Sequence, residues 1–320
     1  MFARERARGV GILAAQLADL TFGDPAHGHP VAGFGWCAAA LEKLTYRDSR
    51  SAGAVHTGVL LAGLAVAGTM VQRGTRGPAL AAATAAATWA SLGGTTLGRT
   101  GDKLADLLTA GDIDGARALL PSLCGRDPSA LDTDGLARAA LESVAENTSD
   151  AHVAPLLWAA TGGIPGVLLY RGVNTLDAMI GHRSLRYARF GWAAARLDDG
   201  ANFAAARVAG ALVVVCAPLI GGSPTGALRA WRRDAARHPS PNAGVVEATF
   251  AGALGVRLGG PTQYHHQLEI RPTLGDGHIP GIEDLRRSVR LSQIVQVAAA
   301  VLAVGLTAVG RSGRRACPRR

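Results

Sequence analysis

The chain has 320 residues, a net charge of +9 and a mean hydropathy of +0.17; 48% of its residues are hydrophobic and 18% are charged. This balance favours a membrane protein over a soluble one. The arginines are scattered through the loops rather than gathered in a basic run with aromatic residues, so nucleic-acid binding is not predicted. The four cysteines form no C-x-x-C pair and have no histidine at zinc-ligand spacing, which argues against a zinc centre.

Apolar runs along the chain predict membrane-spanning helices, each of which requires about 20 residues. Four segments meet or approach this length: Ala52–Val71, Pro78–Gly98, Phe203–Gly222 and Leu291–Gly310. A fifth, His152–Tyr170, is interrupted by Gly and Pro, so protein or water must satisfy the freed backbone groups. Val10–Leu20 is too short to be counted with them.

These runs predict an all-α, multi-pass integral membrane protein with about five spanning helices, within a range of four to six. We expect residues 1–320 to form one integral membrane domain. Polar helical loops at about 99–151, 172–202 and 223–290 are expected to form a site at one membrane face. Orientation stays open, because positive charge lies on nearly every loop.

The first polar cluster, in chain order, follows the N-terminal apolar stretch. It reads Gly23-Asp24-Pro25 and then His29-Pro30-Val31, so that Gly and Pro force a turn. Asp24 and His29 are candidates to converge on a ligand or a cation. The alternative is that Asp24 caps the next helix and His29 packs locally.

The second cluster lies on a predicted helix at Ser129–Asp150, which Asp132 or Thr133 could cap. Glu142 and Glu146 are four residues apart and share a face, and Asn147 and Asp150 follow. Two carboxylates on one face favour a bound cation such as Mg²⁺, which takes one or two carboxylates together with phosphate oxygens. The alternative is a solvated acidic face.

The third and fourth clusters both precede the predicted span that begins at Phe203. Asn174 and Asp177 are three apart and would face one way on a helix, where Asp177 could coordinate Mg²⁺ and Arg183 could bind phosphate. Further on, Asp198 and Asn202 lie one turn apart at the mouth of a span, where ionisable groups are costly unless they are paired or used. The alternative there is a structural network such as an Arg196–Asp199 ion pair.

The fifth cluster is S-P-N-A-G at Ser240–Gly244, followed by Glu247 and a glycine-rich stretch from Ala251 to Gly260. Glycine-rich turns let backbone N–H groups approach an anion, and glycines equally serve close helix packing. No Walker A sequence occurs in the chain.

Together these segments resemble the CobD/CbiB family of cobalamin biosynthesis proteins. The resemblance runs from Asp19 to about Gly277. It rests on G-D-P-x3-H-P-V, E-S-V-A-E-N-T-S-D, N-T-L-D-A-M, F-G-W-A-A-A-R-L-D-D, S-P-N-A-G and A-G-A-L-G-V-R-L-G-G in this order.

The resemblance implies ATP-dependent amide ligation of aminopropanol, or its phosphate, to the ring D propionate of a corrinoid, with ATP and Mg²⁺ as cofactors. It also implies a multi-pass location in the bacterial plasma membrane, contact with membrane lipid, and other late cobalamin enzymes as candidate partners. The residues expected to do acid–base work are Glu142, Glu146, Asp150, Asp177, Asp198 and Asp199. Those expected to bind substrate or phosphate are Asp24, His29, Arg126, Asn147, Asn174, Arg183, Arg196, Asn202, Ser240 and Asn242. The expected Mg²⁺ ligands are Glu146, Asp177 and Asp198.

Two other functions stay open from the residues. One is a Mg²⁺-dependent membrane transferase acting on a prenyl or CDP-alcohol substrate, although the repeated D-x-x-x-D spacing of such enzymes is absent. The other is a corrinoid transporter or a scaffold for late cobalamin enzymes, which broken spans would suit.

Overall fold

The computed structural model describes residues 2–24, 28–182, 184–264 and 267–309. The described residues form twelve α-helices and one β-hairpin. The helices are α1 (Phe2–Phe22), α2 (Pro30–Thr45), α3 (Arg50–Gly74), α4 (Gly77–Trp89), α5 (Gly94–Thr109), α6 (Ile113–Leu119), α7 (Thr133–Thr148), α8 (Ala154–Leu176), α9 (Trp192–Cys216), α10 (Pro224–Asp234), α11 (Ala243–Leu254) and α12 (Ile282–Val309). The hairpin pairs β1 (Leu258–Tyr264) with β2 (Gln267–Leu274) in antiparallel register.

Helices long and apolar enough to cross a membrane confirm the predicted multi-pass class. The described chain has four of them: Arg50–Gly74, Thr133–Gly181, Trp192–Ile220 and Ile282–Ala308. They overlap the segments predicted at Ala52–Val71, His152–Tyr170, Phe203–Gly222 and Leu291–Gly310. The fold is therefore that of a mainly helical integral membrane protein.

The predicted span Pro78–Gly98 is wrong as a single helix. Helix α4 ends at Trp89, the chain turns, and α5 begins at Gly94. The break falls just before Gly93 and Gly94, and glycine is unfavourable inside a helix; at Gly94 a side chain would also collide with the ring of His152. Helix α4 instead packs on α1, where Gly11 lets the two backbones approach closely; a Cβ there would lie 2.6 Å from the carbonyl oxygen of Ala81.

Contacts divide the chain into two compact units. The first comprises the described residues of Met1–Gly93, Ala154–Asn202 and Ala299–Arg320, and the second comprises Gly94–Val153 and Phe203–Ala298. Each unit combines segments that are distant in sequence. The organisation of residues 1–320 as one integral membrane domain stays a prediction.

In the first unit, α8 is kinked at Gly163, which adopts a left-handed backbone conformation with φ of 66°. The kink frees backbone groups that the protein itself satisfies. The N–H of Ile164 donates to Oε1 of Gln72 at 2.9 Å, and Arg8 donates to the carbonyl of Ala160 at 3.1 Å. The interrupted apolar segment therefore remains compatible with a membrane interior, as the sequence predicted.

In the second unit, the stretch predicted as a polar loop at 223–290 contains α10, α11 and the hairpin. Helix α11 is buried along its whole length. It packs against α10 through Gly226 and Gly252, where an added side chain would meet the facing backbone. The sequence predicts one polar loop over residues 223–290. The basic residues of α10 lower the mean hydropathy of that segment, so the apolar helix α11 is not recognised within it.

Candidate active site

Helix α7 carries the two glutamates that the sequence placed on one face. Asp132 caps its N-terminus, where the Oδ1 oxygen accepts a hydrogen bond from the N–H of Gly135 at 2.8 Å. The environments of the glutamates differ sharply, because Glu142 is buried while Glu146 is exposed. On this face of α7, Glu142 is therefore buried in the interior and Glu146 lies at the surface.

Glu142 is held from two sides within the second unit. Its Oε2 forms a buried ion pair with the guanidinium of Arg126. Its Oε1 accepts a hydrogen bond from the backbone N–H of Gly259 at 2.8 Å. Both predicted residues thus meet, but in a contact that compensates each charge internally.

The backbone at Gly259 is shaped to make that contact. A β-bulge lies between Leu258 and Gly260, and Gly259 has a φ of 81°, which disfavours a side chain. A Cβ at this position would also collide with the carbonyl oxygen of Pro272. Arg138 of α7 donates to the carbonyl oxygens of Gly259 at 2.8 Å and of Pro261 at 3.0 Å. The glycine-rich stretch therefore does present a backbone N–H to an anion, which is the protein's own Glu142.

Glu247 of α11 is a buried charged residue of the second unit. It is the one charged residue of the otherwise apolar helix α11, and it is 1% exposed. Its Oε1 lies 3.8 Å from Nε2 of His238 and 3.8 Å from Nη1 of Arg271. Among the described residues, neither of its carboxylate oxygens has a hydrogen-bond partner.

The pKa of Glu247 is raised well above its ordinary value. Burial is the largest cause, followed by repulsion from Glu142 and Glu146, while Arg271 and Arg126 oppose the rise. Burial likewise lowers the pKa of His238, with Arg271 acting in the same direction. A carboxyl group that favours its protonated form thus lies beside a histidine that favours its neutral form, and proton transfer is the chemistry this pair can perform.

Glu247, His238 and Arg271 were not among the predicted site residues. Glu247 is the one charged residue in the apolar run A-G-V-V-E-A-T-F-A-G-A-L, and a charge in such a run indicates a buried functional group. Nothing in sequence spacing indicates its neighbours, because Arg271 lies on the hairpin and His238 lies on the connection that precedes α11.

That connection is ordered by the two predicted residues Ser240 and Asn242. The N–H of Ser240 donates to Nδ1 of His238 at 3.0 Å. The Oγ of Ser240 accepts from the N–H groups of Asn242 at 3.3 Å and Ala243 at 3.2 Å, which fixes the start of α11. Oδ1 of Asn242 accepts from Nη1 of Arg207 at 3.0 Å. Both side chains therefore position the site.

In the first unit, Asp198 gathers the predicted amides of α8 and α9. It accepts a hydrogen bond from Asn174 at 3.4 Å and one from Asn202 at 3.0 Å. The Oδ1 of Asn202, a buried residue, accepts in turn from the hydroxyl of Tyr170 at 2.8 Å. The predicted pairing of Asp198 with Asn202 on one helix face is thus observed.

Asp177 and Asp150 both lie in π-helical turns, at Asp177–Gly181 and Ser149–Val153. Such turns occur frequently at functional sites. Gly181 makes room for the Asp177 carboxylate, which a side chain there would strike. Asp150 and Asp177 therefore each lie where the backbone departs from regular α-helical geometry.

The remaining predicted residues have mainly local contacts. Arg196 and Asp199 form an exposed ion pair at 3.2 Å, the structural alternative considered from the sequence. Asn147 donates to the carbonyl oxygen of Ser143 at 3.0 Å within its own helix. Arg183 lies outside the described residues.

His29 caps α2 by accepting from the N–H of Val31 at 3.2 Å. Burial lowers the pKa of His29. The nearby charge of Asp24 opposes this shift, and that of Arg171 adds to it. Asp24 and His29 therefore do converge electrostatically. The residue that caps the helix is the histidine, where the sequence alternative assigned the cap to Asp24.

A metal centre made of protein groups alone is absent from the described part of the chain, where no three His, Cys, Asp or Glu side chains converge. Of the expected Mg²⁺ ligands, Glu146 lies in the second unit, and Asp177 and Asp198 lie in the first. The exposed oxygens of Glu146 suit a hard cation that brings phosphate oxygens with it. Mg²⁺ binding stays a prediction.

Comparison with known proteins identifies similar sequences over nearly the whole chain. The family model described as CobD/Cbib protein matches residues 12–292. A cobalamin biosynthesis protein CobD of Mycobacterium tuberculosis is 65% identical over 303 residues, which cover 94% of this chain and 96% of that protein. The proteins of the same name from Geobacter metallireducens and Pelobacter propionicus are 39% and 40% identical, over 94% and 93% of this chain and 97% and 94% of their own lengths. No solved structure matches the chain.

Proposed function

The chain belongs to the CobD/CbiB family, and on that premise we propose that it is a membrane enzyme of cobalamin biosynthesis which catalyses ATP-dependent amide ligation. Its substrates are a corrinoid carboxylate, the ring D propionate of cobyric acid, and aminopropanol or its phosphate. The four apolar helices long enough to span a bilayer support a place in the bacterial plasma membrane.

The observation that carries the proposal is the environment of Glu247. An amine reaches an acyl group only as the neutral form, so an amide ligase has to remove a proton from an ammonium group. Glu247 and His238 form a buried acid–base pair whose atoms lie 3.8 Å apart, and Arg271 lies equally near the carboxylate. All three fall within the residues that the family model matches.

The proposed reaction balances in two steps. An oxygen of the propionate attacks the γ-phosphorus of ATP, which forms an acyl phosphate and releases ADP. The amine nitrogen then attacks the acyl carbon, the carbon–oxygen bond breaks, and inorganic phosphate leaves. The proton from the amine passes to the histidine–glutamate pair.

Each described group has a defined part in this scheme. Neutral His238 accepts a hydrogen bond at Nδ1 from the N–H of Ser240 and therefore carries its proton on Nε2, so the amine proton passes to the carboxylate of Glu247, whose raised pKa favours taking it. Arg271, 3.8 Å from the Glu247 carboxylate, would offset with its positive charge the negative charge that develops on the acyl group. Mg²⁺, when bound, would neutralise charge on the nucleotide phosphates, and the exposed Glu146 would help to hold it.

The proposal is tested by product formation. Purified protein in detergent is incubated with adenosylcobyric acid, Mg²⁺, ATP and either aminopropanol or its phosphate, and the amide is detected by mass. We expect a product that requires ATP. Absence of product with both amines, from protein shown to be folded, would contradict the ligase; uptake of corrinoid by vesicles would then favour the transporter.

A further inference from the structure

A small apolar cavity of about 110 Å³ lies within the first unit. Its walls include Pro30 and Phe34 of α2, Leu64 of α3 and Leu168 of α8. Arg171 of α8 also lines it, and no other described lining residue carries a charge. A cavity of this composition suits a ligand that combines an apolar body with one anionic group.

Arg171 lies in a segment that is long and apolar enough to cross a membrane, where an arginine is costly unless it is paired or used. Its Nε is buried, and it has no hydrogen-bond partner among the described residues. Asp24 acts on Arg171 electrostatically, but no described carboxylate forms an ion pair with the guanidinium. An anion from outside the chain would supply the partner that this side chain lacks within the described residues.

The cavity lies beside the ends of the apolar helices α1 and α4. Helix α1 ends at Phe22, whose side chain is 69% exposed, and α2 begins at Pro30, which lines the cavity. Nε1 of Trp89 donates to the carbonyl oxygen of Gly23 at 3.1 Å, and the next residue, Ala90, also lines the cavity. Tryptophan is enriched at the level of lipid headgroups, because its ring is apolar and its N–H is polar. The cavity therefore lies at a depth that a phosphate headgroup can reach, with exposed apolar surface beside it.

We propose that this cavity binds one anionic phospholipid, whose phosphate pairs with Arg171 and whose acyl chain begins against the apolar walls. Phosphate oxygens accept the charge-assisted hydrogen bonds that a guanidinium donates. The apolar walls favour a lipid over a soluble phosphate, since a chain that enters the cavity leaves water. Basic pockets between membrane helices bind anionic headgroups in this way. The proposal does not depend on the ligase activity.

Native mass spectrometry of the whole protein in detergent tests the preference for an anionic lipid, with phosphatidylglycerol and phosphatidylcholine of identical acyl chains as probes. We expect the wild type to bind one phosphatidylglycerol about tenfold more tightly than phosphatidylcholine, whose choline cation competes with Arg171 for the phosphate. Arg171→Gln should abolish this preference, and Arg171→Lys should retain part of it. A wild type without the preference would overturn the proposal, whether or not the variants fold.

Arg73→Gln is the matched control for the lost charge. Arg73 is an exposed arginine in the last turn of α3, and it does not line the cavity. We expect this variant to bind phosphatidylglycerol as tightly as the wild type does. Equal losses in Arg73→Gln and Arg171→Gln would show a diffuse attraction between a basic chain and anionic lipid, and would overturn the proposed site.

Competition with inorganic phosphate and thermal unfolding distinguish a lipid from a soluble anion. An excess of inorganic phosphate should leave the bound phosphatidylglycerol in place, because the acyl chain adds apolar burial that the free ion lacks. In nanodiscs, replacing part of the phosphatidylcholine by phosphatidylglycerol should raise the Tm of the wild type and of Arg73→Gln but not that of Arg171→Gln, since a ligand that binds the folded state stabilises it. Displacement of the lipid by phosphate, or an equal rise in Tm for all three proteins, would overturn the proposal.

Discussion

Burying a carboxylate near two others raises the free energy of its charged form, and Glu247 occupies such a position beside Glu142 and Glu146. A purely structural role would be served as well by a neutral side chain of the same shape. Strongly shifted pKa values of this kind cluster at functional sites. The raised pKa therefore supports a role for Glu247 in proton transfer.

This cost predicts that Glu247→Gln is more stable than the wild type at neutral pH but inactive in ligation. Because the folded-state pKa is raised, the stability that Glu247 contributes is complete below its ordinary value of 4.5 and is lost as pH rises through the raised pKa. Glutamine does not titrate, so the two proteins should melt at similar temperatures near pH 4.5 and diverge as pH rises. Melting temperatures of both proteins, measured from pH 4.5 to pH 8, test this prediction. A wild type that is more stable than Glu247→Gln at every pH would contradict the prediction.

The ion pair of Arg126 with Glu142 makes a second prediction at the scale of single residues. Arg126→Met should lower the free energy of unfolding by about 3–5 kcal/mol, because it leaves the buried Glu142 without its cation. Glu142→Gln should cost less, since glutamine can still accept from the N–H of Gly259. Denaturant unfolding in detergent measures both values.

The double variant Arg126→Met/Glu142→Leu is the control for this pair. Removing both charges should recover part of the stability lost in Arg126→Met, as replacement of buried ion pairs by apolar residues often does. A double variant that is no more stable than Arg126→Met would show that the pair does more than compensate charge.

Among the secondary-structure elements, the hairpin places Arg271 near Glu247. The β-bulge at Gly259 attaches the hairpin to Glu142 of α7. Gly259→Ala should loosen the hairpin from α7, because the positive φ and the nearby Pro272 carbonyl both exclude a side chain. Gly200→Ala in α9 is the control, since nothing lies within 4 Å of a Cβ there. Hydrogen exchange of the hairpin should rise in Gly259→Ala alone, and unchanged protection would contradict this anchoring.

The same elements show how far the sequence could predict the fold. The apolar run Ala52–Val71 became one helix, because a continuous apolar stretch of that length has few alternatives. Pro78–Gly98 did not, because it breaks just before two consecutive glycines, and an apolar average does not register that break. The hairpin was missed because its position depends on Arg138 and Glu142 of α7, which are far from it in sequence.

For the candidate site, helical spacing placed some neighbouring residues together, but Glu247, His238 and Arg271 of the buried cluster were not predicted. Asp198 and Asn202 were placed together from helical spacing, and they are hydrogen-bonded. Arg126 and Glu142 were expected to meet substrate, but they bind each other in the interior. Pairwise spacing is local, whereas charge compensation depends on the tertiary partner.

At the scale of the whole molecule, family membership and apolar helices establish a membrane protein of cobalamin biosynthesis. The site proposed for ligation lies in the second unit, where α7, the segment before it, α11 and the hairpin bring three glutamates and two arginines together. The proposed reactants, a corrinoid carboxylate and a small amine, are both water-soluble, so the proposed site has to be reached from solvent. Exposure of Glu146 provides such access.

Transfer of oxygen from the corrinoid carboxylate tests the central claim most directly. Cobyric acid labelled with ¹⁸O in its propionate carboxylate is incubated with ATP, Mg²⁺ and aminopropanol phosphate, and phosphate is analysed by mass spectrometry. Ligation through an acyl phosphate predicts one ¹⁸O atom in inorganic phosphate for each amide formed, and no transfer in Glu247→Gln. Label recovered in AMP, amide formed without ATP, or full transfer by Glu247→Gln would each contradict the account.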